Sequence, residues 1–161
     1  MPLIKELYDR LRSARVFTNL DLKGAYNLIR MKEGEEWKTA FRTCYGFYEY
    51  TVMSFGLTNA PASCQRMINK QFYEYLDIFI VVYLNDILIY SEMLEEYIQH
   101  VKKVLDKLRT AGLLLKPEKY NFHKDEVIFL GYIVEKDSIR IDLSKVKAVF
   151  EWPVLRTVKE V

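Results

Sequence analysis

Ile78-Phe79-Ile80-Val81-Val82-Tyr83-Leu84-Asn85-Asp86-Ile87-Leu88-Ile89-Tyr90 decides the fold. Two apolar runs meet at one polar pair. The first run, 78–84, stops far short of the roughly 20 residues that a membrane-spanning helix needs, and reads as a buried strand. The second, 87–90, is a strand of the same kind. Asn85-Asp86 joins them, and both residues tolerate positive φ, so the spacing predicts a tight hairpin with Asn85-Asp86 as its turn.

Working outward, the neighbours of that hairpin follow a fixed order. Upstream, Thr58-Asn59-Ala60-Pro61 starts a helix, with Pro61 near its first position, and Cys64, Ile68, Phe72 and Tyr75/Leu76 continue one face. Further upstream, Val16-Phe17-Thr18-Asn19-Leu20-Asp21-Leu22 alternates with period two. Val16, Thr18, Leu20 and Leu22 share one face; Phe17, Asn19 and Asp21 share the other. This is a strand whose last outward residue is a carboxylate. Downstream, Leu94, Tyr97/Ile98, Val101, Val104/Leu105 and Leu108 form an amphipathic helix ended near Gly112. Residues 129–134 and 138–141, joined by Glu135-Lys136-Asp137, predict a last hairpin. A short helix on Leu3, Ile4, Leu7 and Leu11 opens the chain, and one from about Ser144, stopped at Trp152-Pro153, ends it. Residues 39–53 read as a hairpin around Tyr45-Gly46.

With 31–56 set aside as an excursion, the elements run β, α, β, β, α, β, the order of the split βαβ, ferredoxin-like unit. The fold class is α+β, one sheet with helices on one face. In that unit the first and second strands are parallel and the third lies between them. The end of the first strand, Asp21, therefore shares a sheet edge with the hairpin turn. Neighbouring strands are about 4.8 Å apart, so the two places can share a cation. Two oxygen-rich positions on a rigid edge suit Mg²⁺, which takes one or two carboxylates plus substrate phosphates. Phosphoryl transfer, which needs charge neutralisation and positioning, is the chemistry such an edge could serve. The plain alternative is a good turn pair beside a solvated strand-end Asp.

Composition bounds the rest. The chain has 161 residues, 50% hydrophobic and 29% charged, which is one domain with a real core and excludes disorder. Cys44 and Cys64 lack metal-ligand spacing and read as reduced thiols. The net charge of +2 is uninformative, but 102–124 carries Lys102, Lys103, Lys107, Arg109, Lys116, Lys119 and Lys124 against Asp106 and Glu118. Charge alone reads that stretch as a solvated helix face. No basic segment leads into an apolar one at the start, so no secretory signal is visible and an intracellular, cytoplasmic location is expected.

Six blocks in order over most of the chain resemble the reverse transcriptase domain of gypsy-type LTR-retrotransposon pol polyproteins. They are Phe17-Thr18-Asn19-Leu20-Asp21-Leu22-Lys23-Gly24-Ala25-Tyr26, Lys38-Thr39-Ala40-Phe41-Arg42-Thr43, Met53-Ser54-Phe55-Gly56-Leu57-Thr58-Asn59-Ala60-Pro61-Ala62, Tyr83-Leu84-Asn85-Asp86, Lys116-Pro117-Glu118-Lys119 and Phe129-Leu130-Gly131-Tyr132. The resemblance implies a polymerase palm with partial fingers, 31–56 being fingers-type and about 142–161 the start of thumb or connection. It implies template-directed addition of deoxynucleotides to a primer 3′ end with two Mg²⁺ ions, Mn²⁺ being a substitute. The implied partners are an RNA or DNA template with its primer, deoxynucleoside triphosphates and the rest of a pol polyprotein, with no membrane, and the implied alternative locations are a virus-like particle or the nucleus.

By the same resemblance Asp21 is a ligand to both ions, the Leu22 carbonyl serves the nucleotide-bound one, and Asp86 is the hairpin acid. Tyr26 is the aromatic floor that meets a ribose 2′-hydroxyl. Lys23, Gly24 and Ala25 face the triphosphate, Phe55 and Gly56 the nucleotide and template base. Lys119 is the proton donor to pyrophosphate, and Phe129, Leu130, Gly131 and Tyr132 grip the primer. One departure stands out: where the family has the first hairpin Asp, this chain has Asn85. The upstream fingers and the thumb are also expected to be missing. Two readings follow, a working palm or a catalytically impaired remnant that keeps the fold and binds nucleic acid or a partner. An unrelated ferredoxin-like binding module explains none of the motif order.

Overall fold

The computed structural model describes residues 4–151. Its centre is β1 (Val16–Lys23), flanked on one side by β5 (Asp86–Ser91), itself paired with β4 (Ile80–Tyr83). On the other side β1 is shared by two short strands, β6 (Leu114–Leu115) at its end and β7 (Asn121–Lys124) at its start. The β1–β5 and β4–β5 pairs are both antiparallel, so β1 and β4 run parallel with β5 between them. For the first three strands this is the predicted ferredoxin-like arrangement; the place beside β1 expected for 129–134 is taken instead by β6 and β7, and 129–134 lies in a separate sheet.

Alternation along these strands divides the core in two. One face carries Leu20, Leu22, Ile80, Val82, Ile87 and Ile89, and packs against the two long helices. These are α2 (Ala60–Phe72), which inserts Cys64, Ile68 and Phe72, and α3 (Leu94–Thr110), which inserts Val104 and Leu108. Full burial of each such side chain contributes roughly 1.5–3 kcal/mol before ordering entropy is subtracted. The opposite face carries Phe17, Val81, Leu88 and Tyr90. It is covered by Leu7 and Leu11 of the short α1 (Ile4–Leu11) and by a separate small sheet. The long helices thus share one face as expected, while α1 and the second sheet close the other. A two-sided core explains why Phe17, Thr18, Leu20, Asp21 and Leu22 are all buried in spite of their alternation.

The second sheet is β8 (Glu126–Phe129), β9 (Tyr132–Glu135) and β10 (Ser138–Ile141), in the order β10-β9-β8. The sequence predicted one hairpin over this region. Leu130 and Gly131 both take positive φ, 53° and 84°, and break 129–134 into two strands around a turn. The following turn is Lys136-Asp137. Asn19 Nδ2 donates to the Ile128 carbonyl at 3.1 Å and ties this sheet to β1. α3 is tied to β1 by the Tyr97 hydroxyl, 2.7 Å from Thr18 Oγ1 and accepting the His123 amide at 2.8 Å. The last helix, α4, spans Leu143–Phe150; Trp152-Pro153, its predicted stop, lies outside the described residues.

The excursion leaves and re-enters the body at one place. The Met31 amide donates to the Thr51 carbonyl and the Met53 amide to the Ile29 carbonyl. Beyond that base stands the hairpin β2 (Phe41–Thr43) and β3 (Gly46–Tyr48), whose turn is Cys44-Tyr45, one residue earlier than predicted. Two other predicted bounds shift. α2 ends at Phe72, before Tyr75/Leu76, and β4 begins at Ile80, because Asp77 turns with φ 63° and leaves Ile78 exposed. Among the described residues no helix is long and apolar enough to cross a membrane.

Candidate active site

The two carboxylates predicted to meet do so in register. Asp21 stands directly opposite Asp86 across β1–β5, the last pair of that ladder. Cross-strand partners place their Cβ atoms about 4.5–5.5 Å apart, and like charges so placed repel. The hairpin turn, however, is Leu84-Asn85, and Asp86 is already the first residue of β5, paired with Tyr83. The turn was expected to be Asn85-Asp86; the ladder closes one residue earlier. Of the loop residues only Leu84 has positive φ, 54°. That is the pattern of a turn normally begun by glycine, and a leucine there stores on the order of 1–2 kcal/mol.

Asp21 is 7% exposed, against the outward, solvated position its strand phase suggested. Three donors surround it. Lys116 Nζ lies 2.6 Å from Oδ1, Lys119 Nζ 2.8 Å from Oδ2, and Asn85 Nδ2 donates to Oδ1 at 3.1 Å. Burial by itself would raise this carboxyl's pKa, but the hydrogen bonds from Lys116, Lys119 and Asn85 together outweigh it and hold it below the usual range. Asp86 goes the other way. Burial first, then the charge of Asp21, push it up against the partial relief of Lys119 and Lys116. Lys119, bonded to Asp21, is held protonated more firmly than a free lysine. The arrangement keeps one carboxylate ionised and the other reluctant.

The Asp86 shift has a stability consequence. A carboxyl whose folded pKa is raised contributes stability that is fully present below the unfolded value and is lost as pH rises through the folded one. At pH 7 the ionised Asp86 therefore costs stability. Asp86→Asn is expected to raise the melting temperature at pH 7 by about 2–4 °C, allowing for solvent screening. The gain should shrink toward pH 4, and calorimetry at the two pH values checks both the sign and the trend.

The other predicted residues fall into two groups. Lys23 and Gly24 are exposed just past Asp21, Gly24 with φ 61° and open space above it. The chain then tightens into a 3₁₀ turn, Ala25–Leu28, that buries Ala25 and Tyr26. Phe55, 80% exposed, lies over Tyr26 with ring centroids 4.5 Å apart, and Gly56 follows at φ 95°. Leu22 is core, its amide bonded to the Asn85 carbonyl at 2.8 Å. Phe129 is likewise core, 1% exposed, so only Leu130, Gly131 and Tyr132 at the β8–β9 turn retain surface.

Two residues at the site were not singled out. Lys116 stands in the same Lys-Pro-Glu-Lys motif as Lys119, which was the signal available. Gln65 of α2 gave none. Its Oε1 accepts the Leu84 amide at 2.6 Å and its Nε2 donates to the Val82 carbonyl at 3.2 Å. The basic stretch also divides: Lys116 and Lys119 serve Asp21, whereas Lys102, Lys103, Lys107 and Arg109 lie on α3, on the other face of the sheet from Asp21 and Asp86.

The donor set suits one divalent cation held by Asp21 and Asp86 with substrate phosphate, once the lysine amines are displaced. It suits two less well. Among the described residues no three His, Cys, Asp or Glu side chains gather, and the side chain beside the pair, Asn85, is an amide.

Residues 2–134 match the family described as reverse transcriptase (RNA-dependent DNA polymerase). The Transposon Tf2-3 polyprotein of Schizosaccharomyces pombe is 39% identical over 160 residues, 99% of this chain and 12% of its own length. The Transposon Tf2-7 polyprotein of the same yeast is 38% identical over the same span. The chain thus covers about an eighth of these relatives. Solved structures that share its fold include two of a foamy viral enzyme. The foamy viral protease-reverse transcriptase in complex with RNA/DNA hybrid has TM-score 0.80 and 23% identity, over 91% of this chain and 20% of that one. The dRH form in complex with double-stranded DNA has TM-score 0.81 and 22% identity, over 99% and 29%. With the palm-like sheet, the Asp21–Asp86 pair and a family match over most of its length, this chain belongs to the reverse transcriptase family.

Proposed function

We propose that this chain is the palm, with part of the fingers at 31–56, of a gypsy-type LTR-retrotransposon reverse transcriptase, and that about 142–161 leads toward the thumb or connection. Its reaction is addition of deoxynucleotides to a primer 3′ end on an RNA or DNA template, as one segment of an intracellular pol polyprotein. The observation that carries this reading is the direct cross-strand pairing of Asp21 with Asp86 beside the Leu84-Asn85 turn. The relatives' names and the nucleic acids in the two foamy viral structures support it.

Asp21 and Asp86, with the Leu22 carbonyl, are the residues that would hold Mg²⁺ or Mn²⁺. The ions, when bound, supply charge neutralisation for the phosphates and acidify the attacking hydroxyl. The chain's own residues do the rest. Lys23 and the amides of Gly24 and Ala25 bind the triphosphate, since unpaired N–H groups and a cation favour an anion. Tyr26, with the Phe55 ring against it, forms the floor under the sugar and excludes a 2′-hydroxyl, while Phe55 and Gly56 meet the nucleotide and template base. Lys119, kept protonated by Asp21, is the proton source for the leaving pyrophosphate. The Leu130-Gly131 turn and Tyr132 lie along the primer, with Phe129 anchoring them from the core.

Asn85 favours a second reading in which the chain keeps the fold and binds nucleic acid with little catalysis. Both readings require binding, so binding is the test. Fluorescence anisotropy with a primer–template duplex is expected to show an affinity that falls by roughly 40-fold between 50 and 200 mM salt, for about three phosphate contacts. No binding, or binding indifferent to salt, would sink both.

A further inference from the structure

We infer that Gln65 is a positioning residue for the loop that carries Asn85 and leads into Asp86; the inference rests on reading that loop as the metal-holding hairpin of a polymerase. β4 is an edge strand, and among the described residues its outward side meets no further strand, only the bridge of Ile80 with Leu76. Two outward backbone groups, the Val82 carbonyl and the Leu84 amide, are two residues apart and face α2. A parallel neighbouring strand would bridge them with the N–H and C=O of one residue. Here the Gln65 carboxamide takes its place, with Nε2 donating to Val82 at 3.2 Å and Oε1 accepting from Leu84 at 2.6 Å.

The carboxamide is itself held. Its Nε2 also donates to Asn69 Oδ1 at 2.8 Å, one helical turn along α2, while the Leu84 N–H, which can only donate, and the Val82 carbonyl, which can only accept, fix which end faces Leu84. Leu84 is the residue that needs holding, since its φ of 54° is a conformation a leucine adopts only when its surroundings impose it. The far side of the loop is fixed by the Leu22 amide bond to the Asn85 carbonyl at 2.8 Å. The loop is therefore clamped from α2 on one side and from β1 on the other. Those two grips set where Asp86 enters β5 opposite Asp21.

The test compares the unaltered chain with Gln65→Leu, which loses both ends of the carboxamide, and Gln65→Glu, which keeps an acceptor for Leu84. Amide exchange followed by NMR reads the loop at Leu84 and the sheet at Leu88 and Ile89. In Gln65→Leu the Leu84 amide is expected to exchange about tenfold faster or more, with Leu88 and Ile89 unchanged, and Gln65→Glu should recover part of the protection. Mn²⁺ affinity, read by electron paramagnetic resonance, should fall about tenfold or more in Gln65→Leu. Unchanged Leu84 exchange overturns the inference. So does equal acceleration at Leu84, Leu88 and Ile89, which would make Gln65 an ordinary stabilising contact, and so does a freed loop with unaltered Mn²⁺ affinity. If Mn²⁺ binds neither the unaltered chain nor a variant, the proposed function fails, and the Leu84 amide alone decides for or against Gln65.

Discussion

Asn85→Asp is expected to raise primer extension on an RNA template by about two to four decades, from little or none in the unmodified chain. The carboxamide oxygen of Asn85 can ligate a cation but brings no negative charge, and charge is what holds two dications close together. In the structure its amide end is turned toward Asp21, donating to Oδ1, which fills an acceptor that an ion would otherwise use. The fold should accept the change, because Asn85 is partly exposed in a two-residue loop and does not carry the positive φ. Lys116 and Lys119 stand close enough to Asp21 to offset an added carboxylate. Extension assays with Mg²⁺ and with Mn²⁺ measure the gain. Processive synthesis by the unmodified protein, or no gain in the variant, would remove Asn85 as the limiting residue.

Asp21→Asn placed on top of Asn85→Asp is expected to cancel that gain, returning extension by about two to four decades to the unmodified level. The physical reason differs from the first case. Asp21 is the buried, fully ionised member of the pair, and it orients Lys116, Lys119 and residue 85 at once. Its lowered pKa also gives the substitution a stability signature. A carboxyl with a depressed folded pKa contributes stability present above the unfolded value and lost as pH falls through the folded one. At pH 7 Asp21→Asn should therefore lower the melting temperature by about 2–4 °C, the lysines recovering part of the loss by solvation. Near pH 3 the penalty should fade. Asp21→Asn and Asp86→Asn are thus expected to shift stability in opposite directions at pH 7, one strand pair apart. Shifts of the same sign would contradict the electrostatics described for this site.

Much of this site is legible in residue type and spacing. Period-two alternation located β1, two continuous apolar runs located the hairpin strands, and element order alone made β1 and β4 parallel around β5, which is why Asp21 and Asp86 could be expected together. What the pattern could not give was register to one residue. Asn85-Asp86 has the better turn chemistry, yet the turn is Leu84-Asn85, because pairing of Tyr83 with Asp86 and the Gln65 clamp outweigh the local preference against a left-handed leucine. β7 was invisible for another reason. Asn121-Phe122-His123-Lys124 is exposed along its length and carries no apolar alternation, so only the free side of β1 makes it a strand.

By itself the sequence determined the α+β order, the strand that ends in Asp21, the hairpin beside it and the substitution of an amide for an acid at Asn85. These are properties of residue type and spacing, and they survive any adjustment of packing. Only the tertiary structure decided the state of the two carboxylates. Asp21 is buried where the side chains of Lys116, Lys119 and Asn85 close on it, ionised because those two lysines arrive from nearly a hundred residues away, and opposed by an Asp86 that burial and repulsion keep reluctant. Charge is a through-space quantity, fixed by what folding brings within a few ångströms, and no reading of spacing along the chain contains it.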